Sequence, residues 1–218
     1  MRTLFFLLIL GGACTTWGSS RTFKTFDFQG KAVTYAIQLP DDFDPNKTYP
    51  VAIGPSEVKS EGDQSFYWRE TTATYGWILV DFTLYESSRK QAQVVALMDH
   101  LRTTYKVEGN KFHTICFSAN SASIFDLVMS IPNHFHSITG MAGNPGTKDK
   151  SKLSQLKGVK VSFVVGDKDN YWMNAAKDRH QRLLDVGIDS RIEIIKNGPH
   201  VMRKLIGKGT LERMDRLR

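Results

Sequence analysis

Cysteine is nearly absent from this sequence. Only Cys14 and Cys116 occur in 218 residues, which excludes the disulfide framework that staples many small exported folds and leaves stability to a buried core. Internal repeats, low-complexity tracts and a Gly/Pro-rich linker are also lacking, so a single compact domain is expected. No apolar run approaches the roughly 20 residues that a membrane-spanning helix needs. Metal chemistry has little to stand on. His134 and His136 flank Phe135 without a Cys or carboxylate at metal-ligand spacing, and with His113 they read as loop or surface histidines. No metal and no cofactor is expected.

Charge of one sign is in modest excess. There are 29 Lys and Arg against 22 Asp and Glu, for a net +7. The densest basic group, Arg203, Lys204, Lys208, Arg213, Arg216 and Arg218, is interleaved with Glu212 and Asp215. That pattern suits the solvated face of a terminal helix and argues against a nucleic-acid partner. At the other end Arg2 precedes the apolar run Leu4 to Leu10, followed by Gly11-Gly12-Ala13-Cys14. This is the grammar of an export signal, so residues 1–20 are read as a leader and short spacer, and 21–218 as the folded domain. Small residues before Cys14 resemble a bacterial lipoprotein processing site, although Leu10 stands four residues ahead of the cysteine rather than three. Two destinations stay open: secretion or a periplasmic location after cleavage nearby, or a membrane-attached protein lipidated on Cys14.

Strands and helices alternate through the rest. Strands are expected at 32–39, 49–53, 77–82, 112–117, 137–141, 159–165 and 191–195, each rich in β-branched or aromatic residues or apolar throughout. Helices are expected at 89–105, where Val94, Met98, Leu101 and Tyr105 recur at helical spacing, at 119–130 and at 173–186. Such alternation implies βαβ crossovers, hence an α/β fold with a mostly parallel sheet covered by helices on both faces. Functional residues of such sheets gather at the carboxyl ends of the strands.

One of those ends is Phe112-His113-Thr114-Ile115-Cys116-Phe117-Ser118-Ala119-Asn120-Ser121-Ala122. A strand runs into a helix across a serine between small residues, which would hold Ser118 at the apex of a sharp turn beside helix N-terminal amides. Later strand ends carry Gly166-Asp167-Lys168-Asp169 and Asn197-Gly198-Pro199-His200. Together these junctions make the chain resemble an α/β-hydrolase, most like small secreted esterases of the feruloyl esterase and polyhydroxybutyrate depolymerase type. The order Ser, Asp, His is the one this fold uses. The resemblance implies Ser118 as nucleophile, His200 as base and Asp169 as the orienting acid, with Asp167 as fallback. It implies an oxyanion site from the amide of Ala119 and a second amide after Ile53. Relatives place His-Gly there, whereas this chain has Gly54-Pro55; since proline has no amide hydrogen, Ser56 becomes the expected second donor. Both elbow glycines are also replaced, by Cys116 and Asn120.

The expected activity is cleavage of small, aromatic or polymeric carboxylic esters by a monomer, in an open cleft, since no lid-sized insertion is visible. The alternative, prompted by the missing glycines and missing His-Gly, is a hydrolase-like envelope protein that binds without turnover. Ser121 also lies between small residues but comes a helical turn too late, and Cys116 reads as a buried, inert thiol. Tyr67, Trp68, Tyr171 and Trp172 either line a substrate pocket or simply pack.

Overall fold

The computed structural model describes residues 21–55, 66–68, 75–84 and 87–218. The leader and Cys14 lie outside the described residues, as does Ser56. Eight strands form one sheet in the order β1-β2-β4-β3-β5-β6-β7-β8: β1 (Thr22–Phe28), β2 (Lys31–Gln38), β3 (Val51–Gly54), β4 (Ile78–Asp81), β5 (Phe112–Phe117), β6 (Phe135–Met141), β7 (Lys160–Gly166) and β8 (Ser190–Ile195). β2 runs antiparallel to both neighbours, and β4 through β8 pair in parallel. The β1–β2 hairpin turns at Gln29 and Gly30, both with positive φ (55° and 75°). A two-residue connection demands that conformation so that its twist matches the strands.

Described helices are α1 (Ser87–Thr104), α2 (Ser121–Ser130), the single turn α3 (Lys150–Leu153), α4 (Asn170–Asp185) and α5 (Lys208–Asp215). Strand alternation distributes side chains to two apolar layers. In β7, Val161, Phe163 and Val165 join Val94, Leu97, Met98 and Leu101 of α1, Ile124, Phe125 and Val128 of α2, and Leu183 of α4. Val164 instead joins Trp77, Leu79, Ile115 and, from α5, Leu211 and Met214. The sheet is therefore sandwiched, as its uninterrupted apolar strands require. The terminal helix is amphipathic: Thr210, Leu211 and Met214 are buried, while Arg213 and Arg216 lie near Glu193.

Chain order along the sheet changes direction around β3. The chain steps outward from β3 to β4, then crosses back over β3 to β5 and proceeds to the other edge. Such a reversal opens a crevice beyond the carboxyl ends of the flanking strands. Ser118 follows the last residue of β5.

Candidate active site

At that strand end the backbone bends sharply. Phe117 is extended (φ −139°, ψ 132°), and Ser118 then takes φ 51°, a left-handed conformation that costs a non-glycine residue about 1–3 kcal/mol. The surroundings hold it there. The Ser118 amide donates to the Ala142 carbonyl at 3.1 Å, and the Ala142 amide donates to the Val164 carbonyl at 2.8 Å, so the bend is fastened to the ends of β6 and β7. A tight 3-10 turn, Ser118–Asn120, precedes α2, which starts two residues later than the sequence suggests. Ser121, the rival serine, is buried and donates its hydroxyl to the Ser118 carbonyl at 2.7 Å.

The two departures from glycine have distinct physical outcomes. Cys116 is wholly buried in β5 and its thiol points to the Thr139 carbonyl at 3.8 Å; burial pushes its pKa up, which suppresses the thiolate and leaves it inert. The space is provided across the strand by Gly143, where a Cβ would come within 2.8 Å of the Ser121 Cβ and 3.5 Å of the Cys116 sulfur. Asn120 is a positive element of the elbow. Its Oδ1 accepts from the Phe117 amide at 2.9 Å, and its Nδ2 donates to the Tyr67 hydroxyl at 3.4 Å. A side chain that looks too large for the position from sequence alone serves as a clasp.

The acid and base arrive from the next two loops. Asp169 ends the turn after β7, and His200 lies in the loop after β8. His200 Nδ1 is 2.5 Å from Asp169 Oδ2, and His200 Nε2 is 2.9 Å from Ser118 Oγ. A carboxylate only accepts, so Nδ1 carries the proton and Nε2 is left to accept from the serine hydroxyl. Asp169 also caps α4, its Oδ1 accepting from the Trp172 amide at 3.5 Å. This cap begins the helix at Asn170, three residues before the periodicity suggests. Asp167, the fallback acid, is not hydrogen-bonded to His200: its Oδ1 is buried without a hydrogen-bond partner among the described residues, and its amide donates to the Ile195 carbonyl at 3.1 Å. The serine, histidine and aspartate thus form a Ser-His-Asp relay of the kind that generates an acyl-enzyme.

Aromatic rings surround the base. Phe117 lies 5.0 Å from the imidazole centroid and Trp172 stacks on it at 6.0 Å. Tyr171, largely exposed, and Trp172 line a cavity of about 500 Å³ that also reaches Ala119. Tyr67 is buried against the elbow, and Trp68 is completely buried beneath Gly54, where a Cβ would lie 2.8 Å from its ring. Of the remaining histidines, His113 is buried on β5 and not on a loop or the surface, and pairs with Ser137, whereas His134 pairs with Arg102 and His136 with the Leu217 carbonyl. Among the described residues no cluster of three His, Cys, Asp or Glu could hold a metal, and no helix is long and apolar enough to cross a membrane.

No family model matches this chain, and no curated protein does. Solved structures do. The chain is similar to a thermostable esterase (TM-score 0.64, 13% identity), covering 90% of this chain but only 63% of that one. It is also similar to a dienelactone hydrolase from Anabaena variabilis ATCC 29413 (TM-score 0.61, 14% identity; 92% and 95% covered). A ferulic acid esterase from Anaeromyces mucronatus, in complex with ferulic acid, matches at TM-score 0.65 and 13% identity, with 86% of each chain covered. Identities this low speak for the fold alone: a single-domain α/β-hydrolase fold.

Proposed function

We propose that this protein hydrolyses carboxylic esters through an acyl-enzyme formed on Ser118. The observation that carries the reading is the continuous hydrogen-bonded line from Asp169 Oδ2 through both ring nitrogens of His200 to Ser118 Oγ. As Ser118 Oγ attacks the ester carbonyl, its proton passes to His200 Nε2, and Asp169 stabilises the imidazolium. The tetrahedral oxyanion is held by the Ala119 amide, at the open first turn after the serine, with Ser56 as the second donor. Nε2 then protonates the leaving alcohol, and water repeats the sequence on the acyl-enzyme with the same base. The feruloyl esterase and polyhydroxybutyrate depolymerase resemblance is kept as the substrate range: small, aromatic or polymeric esters.

A fluorophosphonate probe followed by peptide mapping tests enzyme status and nucleophile together. Labelling at Ser118 that disappears in Ser118→Ala, with turnover of short 4-nitrophenyl esters dependent on His200, is the expected result. Labelling that persists in the alanine variant would overturn the assignment. Its complete absence in the native chain would favour a binding protein without turnover.

The protein is an exported monomer, either secreted or periplasmic after cleavage near Cys14 or held to the membrane by a lipid on Cys14. The apolar run Leu4 to Leu10 and the small residues before Cys14 support export. Mass analysis of the mature N-terminus in a bacterial host distinguishes diacylglyceryl-Cys14 from simple cleavage.

A further inference from the structure

The cavity beside the nucleophile is not a greasy tunnel closed by aliphatic side chains, and its far end is charged. Among the described residues that line it there is no leucine, isoleucine, valine, methionine or phenylalanine. Its near end is formed by Ala119 and Trp172, the latter stacked on His200. From there it follows α4 to Asp178 and Arg179, a distance of about 10 Å at 1.5 Å per helical residue. Lys148 lines it as well, from the loop after β6.

The far end carries an arranged cation. The Arg179 side chain is only 8% exposed, yet it borders the cavity. Its Nε donates to the Pro145 carbonyl at 3.1 Å and its Nη1 to Asp178, which leaves Nη2 without a protein acceptor among the described residues. Nη2 is not among the fully buried unpartnered atoms, so it reaches the solvent of the cavity, where an acceptor on a bound molecule can take the place of water. Asp178 is the one carboxylate that lines the cavity among the described residues, and it is engaged: Arg182 Nε approaches its two oxygens at 3.0 and 3.1 Å, from the side opposite in sequence to the cavity's near end. Those hydrogen bonds hold its carboxyl below the usual range, so it stays ionised and committed to its partners. Lys148 has no carboxylate partner among the described residues, whereas its neighbour Lys150 is paired with Asp185 at 2.8 Å. The balance at this end is positive.

The geometry points to a subsite for a carboxylate, held by Arg179 Nη2 and Lys148, so that the preferred ester bears a terminal carboxylate separated from the ester group by roughly the length of α4 from Trp172 to Arg179, about 10 Å. This selectivity rests on the ester-hydrolase reading, but the subsite itself does not. A planar carboxylate offers acceptors to the fixed guanidinium nitrogen and to the flexible ammonium together.

Binding to the Ser118→Ala protein, measured by calorimetry, separates the two. Monomethyl octanedioate is expected to bind at least about tenfold more tightly than the neutral dimethyl ester, as a charge-assisted hydrogen bond predicts. The advantage should shrink with added salt and fall by about tenfold in Lys148→Met. Arg179→Lys keeps the buried charge but removes the fork, and should reduce it likewise; thermal melting verifies that each variant is folded. Equal affinity for the charged and neutral esters, no measurable binding of the monoester, or an advantage that survives both substitutions overturns the subsite. Turnover is then compared on the unsubstituted chain. The 4-nitrophenyl hemiester of octanedioate is set against its methyl ester, and the acetyl ester of 8-hydroxyoctanoate against its methyl ester. A charge preference in the first pair places the carboxylate on the acyl side, and in the second on the alcohol side. Charge-selective binding without turnover of any ester would sink the ester-hydrolase reading and leave the subsite standing. Ser118-dependent turnover of neutral esters without charge-selective binding would do the reverse.

Discussion

Gly166 and Gly198 stand so close that a Cβ on Gly166 would fall 2.0 Å from the Gly198 carbonyl oxygen and 2.8 Å from that of Pro199. The first belongs to the acid turn and the second to the base loop. The Lys168 amide donates to the Gly198 carbonyl at 3.0 Å, and the Asp167 amide to that of Ile195 at 3.1 Å. Asp169 and His200 are thus registered by their backbones before their side chains meet. Contact with backbone atoms cannot be relieved by a rotamer change, so Gly166→Ala must displace the base loop. Ester turnover is expected to fall about 100-fold, the penalty associated with misplacing a catalytic group by around 1 Å. Steady-state kinetics beside a circular dichroism melt would check this, and wild-type kcat in a folded Gly166→Ala protein would contradict it.

Asn120 makes the opposite kind of prediction, because it stands where related elbows have glycine. Asn120→Gly removes the acceptor for the Phe117 amide and the donor to Tyr67. Two hydrogen bonds are lost, each worth about 1 kcal/mol, and since about 1.4 kcal/mol is tenfold in rate the expected outcome is a kcat at least about tenfold lower with a smaller change in KM. Asn120→Asp keeps the acceptor and should recover part of the rate. An Asn120→Gly variant as fast as wild type would show that the clasp does not position Ser118.

Asp169 serves α4 and His200 through different oxygens, which lets its two roles be pulled apart. Asparagine still accepts from the Trp172 amide but does not supply the charge that fixes the imidazole tautomer. Asp169→Asn should lose about 10⁴-fold in kcat with little change in melting temperature. Asp169→Ala should lose the same activity and about 1 kcal/mol of stability besides, for want of the cap. Equal melting temperatures for the two variants would mean that the cap contributes nothing.

These residues also show what a sequence can and cannot reveal here. The strands expected at 77–82, 112–117 and 159–165 each coincide with a buried strand, because a strand covered on both faces carries few polar residues to blur its signal. Val94, Met98, Leu101 and Tyr105 are all buried as their spacing predicts. Strand β1 was not legible, since only Phe26 among its seven residues is buried; an edge strand with one inward anchor carries almost no period. Ser118, Asp169 and His200 were readable because each follows a strand. The role of Asn120 was not, for it depends on the Phe117 amide and on Tyr67, 53 residues away. Nothing in the sequence distinguishes Arg179 from Arg182 on the same helix; its contacts with Pro145 and Asp178 do.

His113 couples the stability of the fold to acid. It is 3% exposed on β5, its Nδ1 is 2.7 Å from the Ser137 hydroxyl, and Trp77 packs edge-on at 4.7 Å. Burial first, and then the nearby charges of His136, Arg218 and Lys160, push its pKa down to about 3, against about 6.5 for an exposed imidazole. The native state holds this ring neutral, so between these two values the unfolded chain binds the extra proton. Its contribution is fully present above the unfolded value and is lost as pH falls through the window toward 3, at up to about 1.4 kcal/mol per pH unit. Urea unfolding of the wild type should therefore weaken more steeply from pH 6 to pH 4 than that of His113→Gln, in which the amide can still meet Ser137. The variant begins less stable at pH 7, and the two curves should converge as the pH is lowered. Parallel curves across that range would mean that His113 takes up its proton without disturbing the fold.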